Sequence, residues 1–170
     1  MTRVNTPQVS SWESPQVQGA PGEIQFYTLY YTMKILIADD QSGVRSALRL
    51  LLEQHPECSI VAEAENTVDL LEKAAQTHPD LVLLDAELAG LPGRRGEQAP
   101  GALEDLLAGL KGKCCQAKVI VLSIRPEVRG QVLACGVDAF VSKADPPEAL
   151  LSVIQKLCLQ SVEDLNHRWE

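Results

Sequence analysis

Residues 81–85 read Leu-Val-Leu-Leu-Asp, four apolar side chains in a row closed by one carboxylate. A half-exposed strand alternates apolar and polar residues. An unbroken apolar run therefore implies a strand covered on both faces, as in a parallel sheet. The pattern recurs on either side. Lys34 to Ala38 leads into Asp39-Asp40, Lys118 to Leu122 into Ser123, and Ala139 to Ser142 into Lys143. Ser59 to Glu63 supplies one more strand.

Helical patterns fill the gaps. Ser42 is expected to cap a helix carrying Val44, Leu48, Leu51 and Leu52 on one face, stopped at His55-Pro56. The next helix follows Asn66, places Val68, Leu71 and Ala75 on one face, and ends at His78-Pro79. A Gly- and Pro-rich loop, Glu87 to Gly101, precedes a third helix marked by Leu103, Leu106, Leu107 and Leu110. Val128, Val132 and Cys135 mark a short fourth helix, and Pro147 opens a last one with Leu150, Ile154 and Leu157. Five β-α units joined by right-handed crossovers predict an α/β domain, a doubly wound five-stranded parallel sheet with its site at the carboxyl ends of the strands.

That domain is expected to occupy residues 33–157. Residues 1–32 are read as a disordered extension, rich in Ser, Thr, Gln, Pro and Gly as far as Gly22. They nevertheless hold Trp12, Phe26, Tyr27, Tyr30 and Tyr31, most of the chain's aromatics. Met33 leads directly into the first strand and is taken as the natural start. The competing reading has Phe26 to Tyr31 packing on the domain or a partner. Residues 158–170 are read as a tail or an extension of the last helix.

A net charge of −8 argues against direct binding to nucleic acid, which requires a cationic footprint. No apolar run approaches the roughly 18 residues that span a bilayer, and the first residues lack the pattern of a secretory leader. A cytoplasmic protein without membrane contact is the expectation. Five cysteines without C-x-x-C spacing suggest free thiols rather than a disulfide framework or a zinc site. His55, His78 and His167 are read as surface residues, and Arg94-Arg95 as a solvated loop pair.

The strand ends carry the chemistry. Asp39, Asp40, Asp85, Ser123 and Lys143 all fall on one rim of the predicted sheet. Three clustered carboxylates need a compensating cation, and an oxygen-only donor set suits Mg²⁺. Ser123 and Lys143 could then hold phosphoryl oxygens, since phosphoryl transfer relies mainly on positioning and charge stabilisation.

The segments Ile35–Asp40, Leu81–Asp85, Val119–Ser123 and Gly136–Lys143 together resemble the response-regulator receiver family of two-component signalling, a flavodoxin-like fold, from Met33 to about Leu157. The resemblance implies that Asp85 is the phosphoacceptor. It implies Mg²⁺ held by Asp40, Asp85 and the backbone carbonyl of Glu87, with Asp39 acting mostly through water. Ser123 becomes the switch hydroxyl, Phe140 the aromatic that moves with it, and Lys143 the partner of the phosphoryl group. The donor would be a sensor histidine kinase or a histidine phosphotransfer protein. Output would reach a downstream protein partner, with a homodimer among the options. Such a domain is no enzyme beyond assisting its own Mg²⁺-dependent phosphorylation and dephosphorylation.

The run Lys143–Leu151 is most similar to receivers that precede a DNA-binding helix-turn-helix. The residues after Leu157 are too few for that domain, so output is expected from the receiver itself. There are departures from the family. Leu88-Ala89 stands where Met-Pro is common, the segment from Asp85 to Ser123 is long around Leu91–Gly96, and the stretch from Ser123 to Lys143 is short enough to trim the fourth helix. Two other classes compete with this reading. One is a phosphorylation-independent docking or dimerisation surface. The other is a haloacid-dehalogenase-like phosphatase, disfavoured because Glu87 stands where a second aspartate is expected.

Overall fold

The computed structural model describes residues 32–88, 101–113 and 116–166. Five strands form one sheet: β1 (Met33–Ala38), β2 (Cys58–Ala64), β3 (Leu81–Asp85), β4 (Lys118–Ser123) and β5 (Ala139–Ser142). Their spatial order is β2-β1-β3-β4-β5 and every pairing is parallel. The helices are α1 (Ser42–Leu52), α2 (Thr67–Thr77), α3 (Ala102–Lys113), α4 (Arg129–Ala134) and α5 (Pro147–Asn166). A single 3₁₀ turn, Pro126–Val128, leads into α4, which is only six residues long. The doubly wound sheet expected from the apolar runs is the one observed.

Alternation along the strands divides the core into two layers. Leu36, Ala38, Val82, Leu84, Val119, Val121 and Phe140 pack with Leu70 and Ala74 of α2, Leu106, Leu107 and Leu110 of α3, and Val132 of α4. Ile35, Ile37, Leu83, Ile120, Leu122 and Val141 face the other way, against Leu52 of α1 and Leu150, Ile154 and Leu157 of α5. Each fully buried Leu or Ile contributes roughly 1.5–3 kcal/mol relative to exposure. β2 lies at the edge of the sheet, and most of its residues are only partly buried.

Two local expectations are corrected. Ser42 does not cap α1. It is the first helical residue, and Gln41 occupies the cap without a side-chain bond. The Gln41 carbonyl accepts from the N–H groups of Val44 and Arg45, and its own N–H is held by Asp39 Oδ1 at 2.9 Å. The second correction concerns α2. Val68 is 66% exposed, and the helix buries Leu70 and Ala74, with the expected Leu71 packed against the same core. Asn66 fixes that rotation, accepting from the Asp69 N–H at 2.9 Å.

Residues 1–31, Ala89, Leu91–Gly96 with Arg94 and Arg95, Cys114-Cys115 and His167 lie outside the described residues. Among the described cysteines, burial pushes the Cys58 and Cys135 thiols up to about 11, so both stay protonated at neutral pH.

Candidate functional site

Strand parity decides where each rim side chain points. Asp39 and Asp85 follow residues that face α2 and α3, so they turn toward the α1/α5 side, and Lys143 lies two past Val141 on that same side. Ser123 has the opposite parity and shares the α3/α4 side with Phe140. Phe140 pairs in register with Val121, and Ser123 stands about two residue rises, roughly 7 Å, further along the neighbouring strand.

The acidic end of β1 and β3 is buried. Asp39 is 1% exposed, Asp85 3% and Ser123 1%. Asp39, Asp40 and Asp85 each bring a carboxylate oxygen within 4.8 Å of the others. Lys143 Nζ bridges two of them, donating to Asp39 Oδ2 at 2.6 Å and lying 2.9 Å from Asp85 Oδ1.

Asp39 is tied down at every polar atom of its acyl groups. Gln41 N–H and Lys143 hold its two carboxylate oxygens, and Arg45 Nη1 donates to its carbonyl at 2.7 Å. Such a residue suits an anchoring role better than direct ligation of an ion.

Electrostatics differ between the partners. Burial raises the Asp85 carboxyl above its ordinary value, and the Lys143 ammonium only partly offsets this. Lys143 is itself desolvated, which pulls its pKa down, but Asp39 and Asp85 outweigh that and hold it raised. Two buried carboxylates therefore share one ammonium, with the Asp40 carboxylate close by. The donor set is oxygen-only with negative charge to spare, which fits a hard divalent cation.

Two loops frame the rim. Ser123 Oγ accepts from the Arg125 N–H at 3.0 Å. Arg125 Nε lies 2.9 Å from Glu87 Oε1, so an ion pair joins the loop after β3 to the loop after β4. Phe140 is buried, with the Arg129 guanidinium 5.7 Å from its ring centroid.

The structure thus brings together Asp39, Asp40, Asp85 and Lys143, and sets Ser123 at the end of the neighbouring strand, on the side of Phe140. Sequence reasoning assigned no role to Arg45 or to the Arg125–Glu87 pair. A signal for the pair was present: opposite charges stand at the same offset, two residues past Asp85 and past Ser123, on neighbouring strands.

A doubly wound parallel sheet with a lysine-bridged acidic rim defines a class of α/β domain that works at the carboxyl ends of its strands. The response regulator receiver domain matches residues 35–155, and the chain belongs to that family. The nitrate/nitrite response regulator protein NarL of Escherichia coli K12 is 28% identical over 124 residues, 72% of this chain and 53% of that protein. The oxygen regulatory protein NreC of Staphylococcus aureus is 29% identical over 125 residues, 72% of this chain and 54% of that one. The chain spans about half the length of these curated relatives. A crystal structure of a LuxR-family DNA-binding response regulator from Staphylococcus aureus superposes with a TM-score of 0.61 at 28% identity, covering 74% of this chain and 98% of that one. Membership makes this a receiver domain of the kind found in two-component response regulators. Among the described residues, no helix is long and apolar enough to cross a membrane.

Proposed function

We propose that Asp85 accepts a phosphoryl group from a histidine kinase or a histidine phosphotransfer protein, and that the domain signals by the rearrangement this causes. The observation that carries the reading is the bridge from Lys143 to Asp39 and Asp85, with the buried Ser123 closing the strand next to that of Asp85.

One Asp85 oxygen attacks phosphorus in line with the P–N bond of the donor's phosphohistidine. That bond breaks and the departing imidazole takes a proton from solvent. Lys143, anchored by Asp39, stays beside Asp85 and stabilises the added negative charge. Mg²⁺ held by Asp40, Asp85 and the Glu87 carbonyl, with Asp39 reaching it through water, would supply neutralisation of the phosphoryl oxygens. The Ser123 hydroxyl turns from the Arg125 N–H to donate to a phosphoryl oxygen. The volume it leaves lies on the Phe140 side of the sheet. Phe140 shifts toward it, and the surface formed by α4, β5 and α5 changes its affinity for a downstream protein.

Incubation with acetyl phosphate and Mg²⁺ is expected to add the mass of one phosphoryl group, and Asp85→Asn to abolish the adduct. Absence of an adduct on the unmutated protein would overturn the reading.

A further inference from the structure

The Arg129 guanidinium lies over the Phe140 ring, 5.7 Å from its centroid. The contact follows from the way α4 is seated. Val128 and Val132, one turn apart, are buried in the same core layer as Phe140. The Val128 N–H donates to the Arg125 carbonyl, which fixes the 3₁₀ turn that enters the helix. Arg129 then opens α4 at the edge of that buried stripe, about 100° round the helix from Val128. Its long side chain has room to extend into water, yet it folds back onto the ring.

The two sides of the ring differ. Arg129 is exposed and Phe140 is buried, so the cation covers the ring from the solvent side. Ser123 is buried and stands further along the neighbouring strand, so any space it vacates opens from the interior. A ring that moves toward Ser123 therefore leaves the guanidinium. The attraction between a cation and a ring extends to about 6 Å from the centroid. At 5.7 Å, a short displacement is enough to lose it.

We propose that Arg129 is a positioning residue that holds Phe140 in its resting place and so sets the bias of the switch against the phosphorylated arrangement. This rests on the reading that Phe140 moves when Asp85 is phosphorylated. A phosphoryl group favours the moved arrangement, and the apparent affinity of the site falls with the fraction of molecules that adopt it. Weakening the hold on the ring therefore tightens the site, although Arg129 belongs to α4 and not to the acidic rim. The sign is informative. Removing a cation would by itself weaken the binding of an anion, whereas releasing the ring strengthens it.

Calorimetric titration of the full chain with beryllium fluoride, a mimic of the phosphoryl group, in saturating Mg²⁺ tests this. Arg129→Gln is expected to lower the apparent Kd by roughly two- to fivefold, the range of one exposed cation–π contact. Arg129→Lys keeps a cation within reach of the ring and is expected to show a smaller gain. In Phe140→Leu the ring is gone, and adding Arg129→Gln brings no gain, an epistasis that a merely structural arginine would not give. Unchanged or weaker binding by Arg129→Gln, an equal gain for Arg129→Lys, or a gain that persists beside Phe140→Leu overturns the hold on the ring while leaving Asp85 as acceptor. If the unmutated protein binds no beryllium fluoride, both readings fall.

Discussion

Two charged clusters lie next to each other on the same sheet rim, joined through Arg45, and they are built on opposite principles. Around the edge strand, Glu63 of β2 accepts from Arg45 at 3.2 Å and from Arg49 at 2.7 Å, while its backbone carbonyl accepts from Lys73, which also pairs with Asp69. Burial alone would raise the Glu63 carboxyl, but the two arginines reverse this and hold it below its ordinary value. At the candidate site, burial raises Asp85 and a single lysine, shared with Asp39, fails to cancel it. The first cluster is neutralised and ties α1, β2 and α2 together. In the second, two buried carboxylates share one ammonium, which leaves an excess of negative charge on that pair. Excess charge costs stability and creates affinity for a cation, so the imbalance marks the functional end.

The largest expected effect comes from removing the only described cation that bridges the acidic rim. Lys143→Met leaves Asp39 and Asp85 buried without their shared partner. Loss of one member of a buried ion pair costs about 3 kcal/mol or more. The urea midpoint measured without Mg²⁺ is expected to drop accordingly, and a second change, Asp85→Asn, to restore part of it. An unchanged midpoint would mean that the two clusters do not differ as described.

Glu63→Gln probes the balanced cluster and is expected to cost about 1.5 kcal/mol at neutral pH, the scale of a hydrogen bond to a charged group. Because the Glu63 carboxyl is depressed in the folded state, its contribution is complete above its ordinary value of 4.5 and is lost as pH falls through the lower folded value. The gap in melting temperature between the two proteins should therefore close in acid. A gap that stays constant with pH would show that packing rather than charge is at work.

The sheet was legible because its decisive strands are contiguous apolar words, and each ends in the residue that matters. Leu81–Asp85 and Lys118–Ser123 need no tertiary knowledge to be read as buried strands with polar termini. The face of α2 was not legible. Val68, Leu71 and Ala75 make as good a helical stripe as Leu70, Leu71 and Ala74, and only packing against the sheet turns Val68 outward and Leu70 inward. The hold of Arg45 on Asp39 was hidden for another reason, since its acceptor is a backbone carbonyl, which carries no residue identity. The Arg125–Glu87 pair depended on β3 and β4 being neighbours, a fact of topology.

The smallest effect has the opposite sign and separates the clusters most sharply. Asp85→Asn removes one of the three carboxylates while Asp39 still holds Lys143, so in the absence of Mg²⁺ the fold should gain about 1 kcal/mol. The pH dependence also runs opposite to that of Glu63. Below the ordinary value of 3.8 both folded and unfolded Asp85 are protonated and no penalty exists. As pH rises, the unfolded chain ionises first, and the penalty grows until the raised folded value is passed. The advantage of Asp85→Asn should therefore be absent in acid and full at neutral pH. It should shrink when Mg²⁺ is added, because a bound divalent cation stabilises the unmutated protein more than the variant. Thermal melts across pH, with and without Mg²⁺, measure all three trends. A variant less stable than its parent at neutral pH would show that Asp85 is balanced after all, and that the charge imbalance resides elsewhere on the rim.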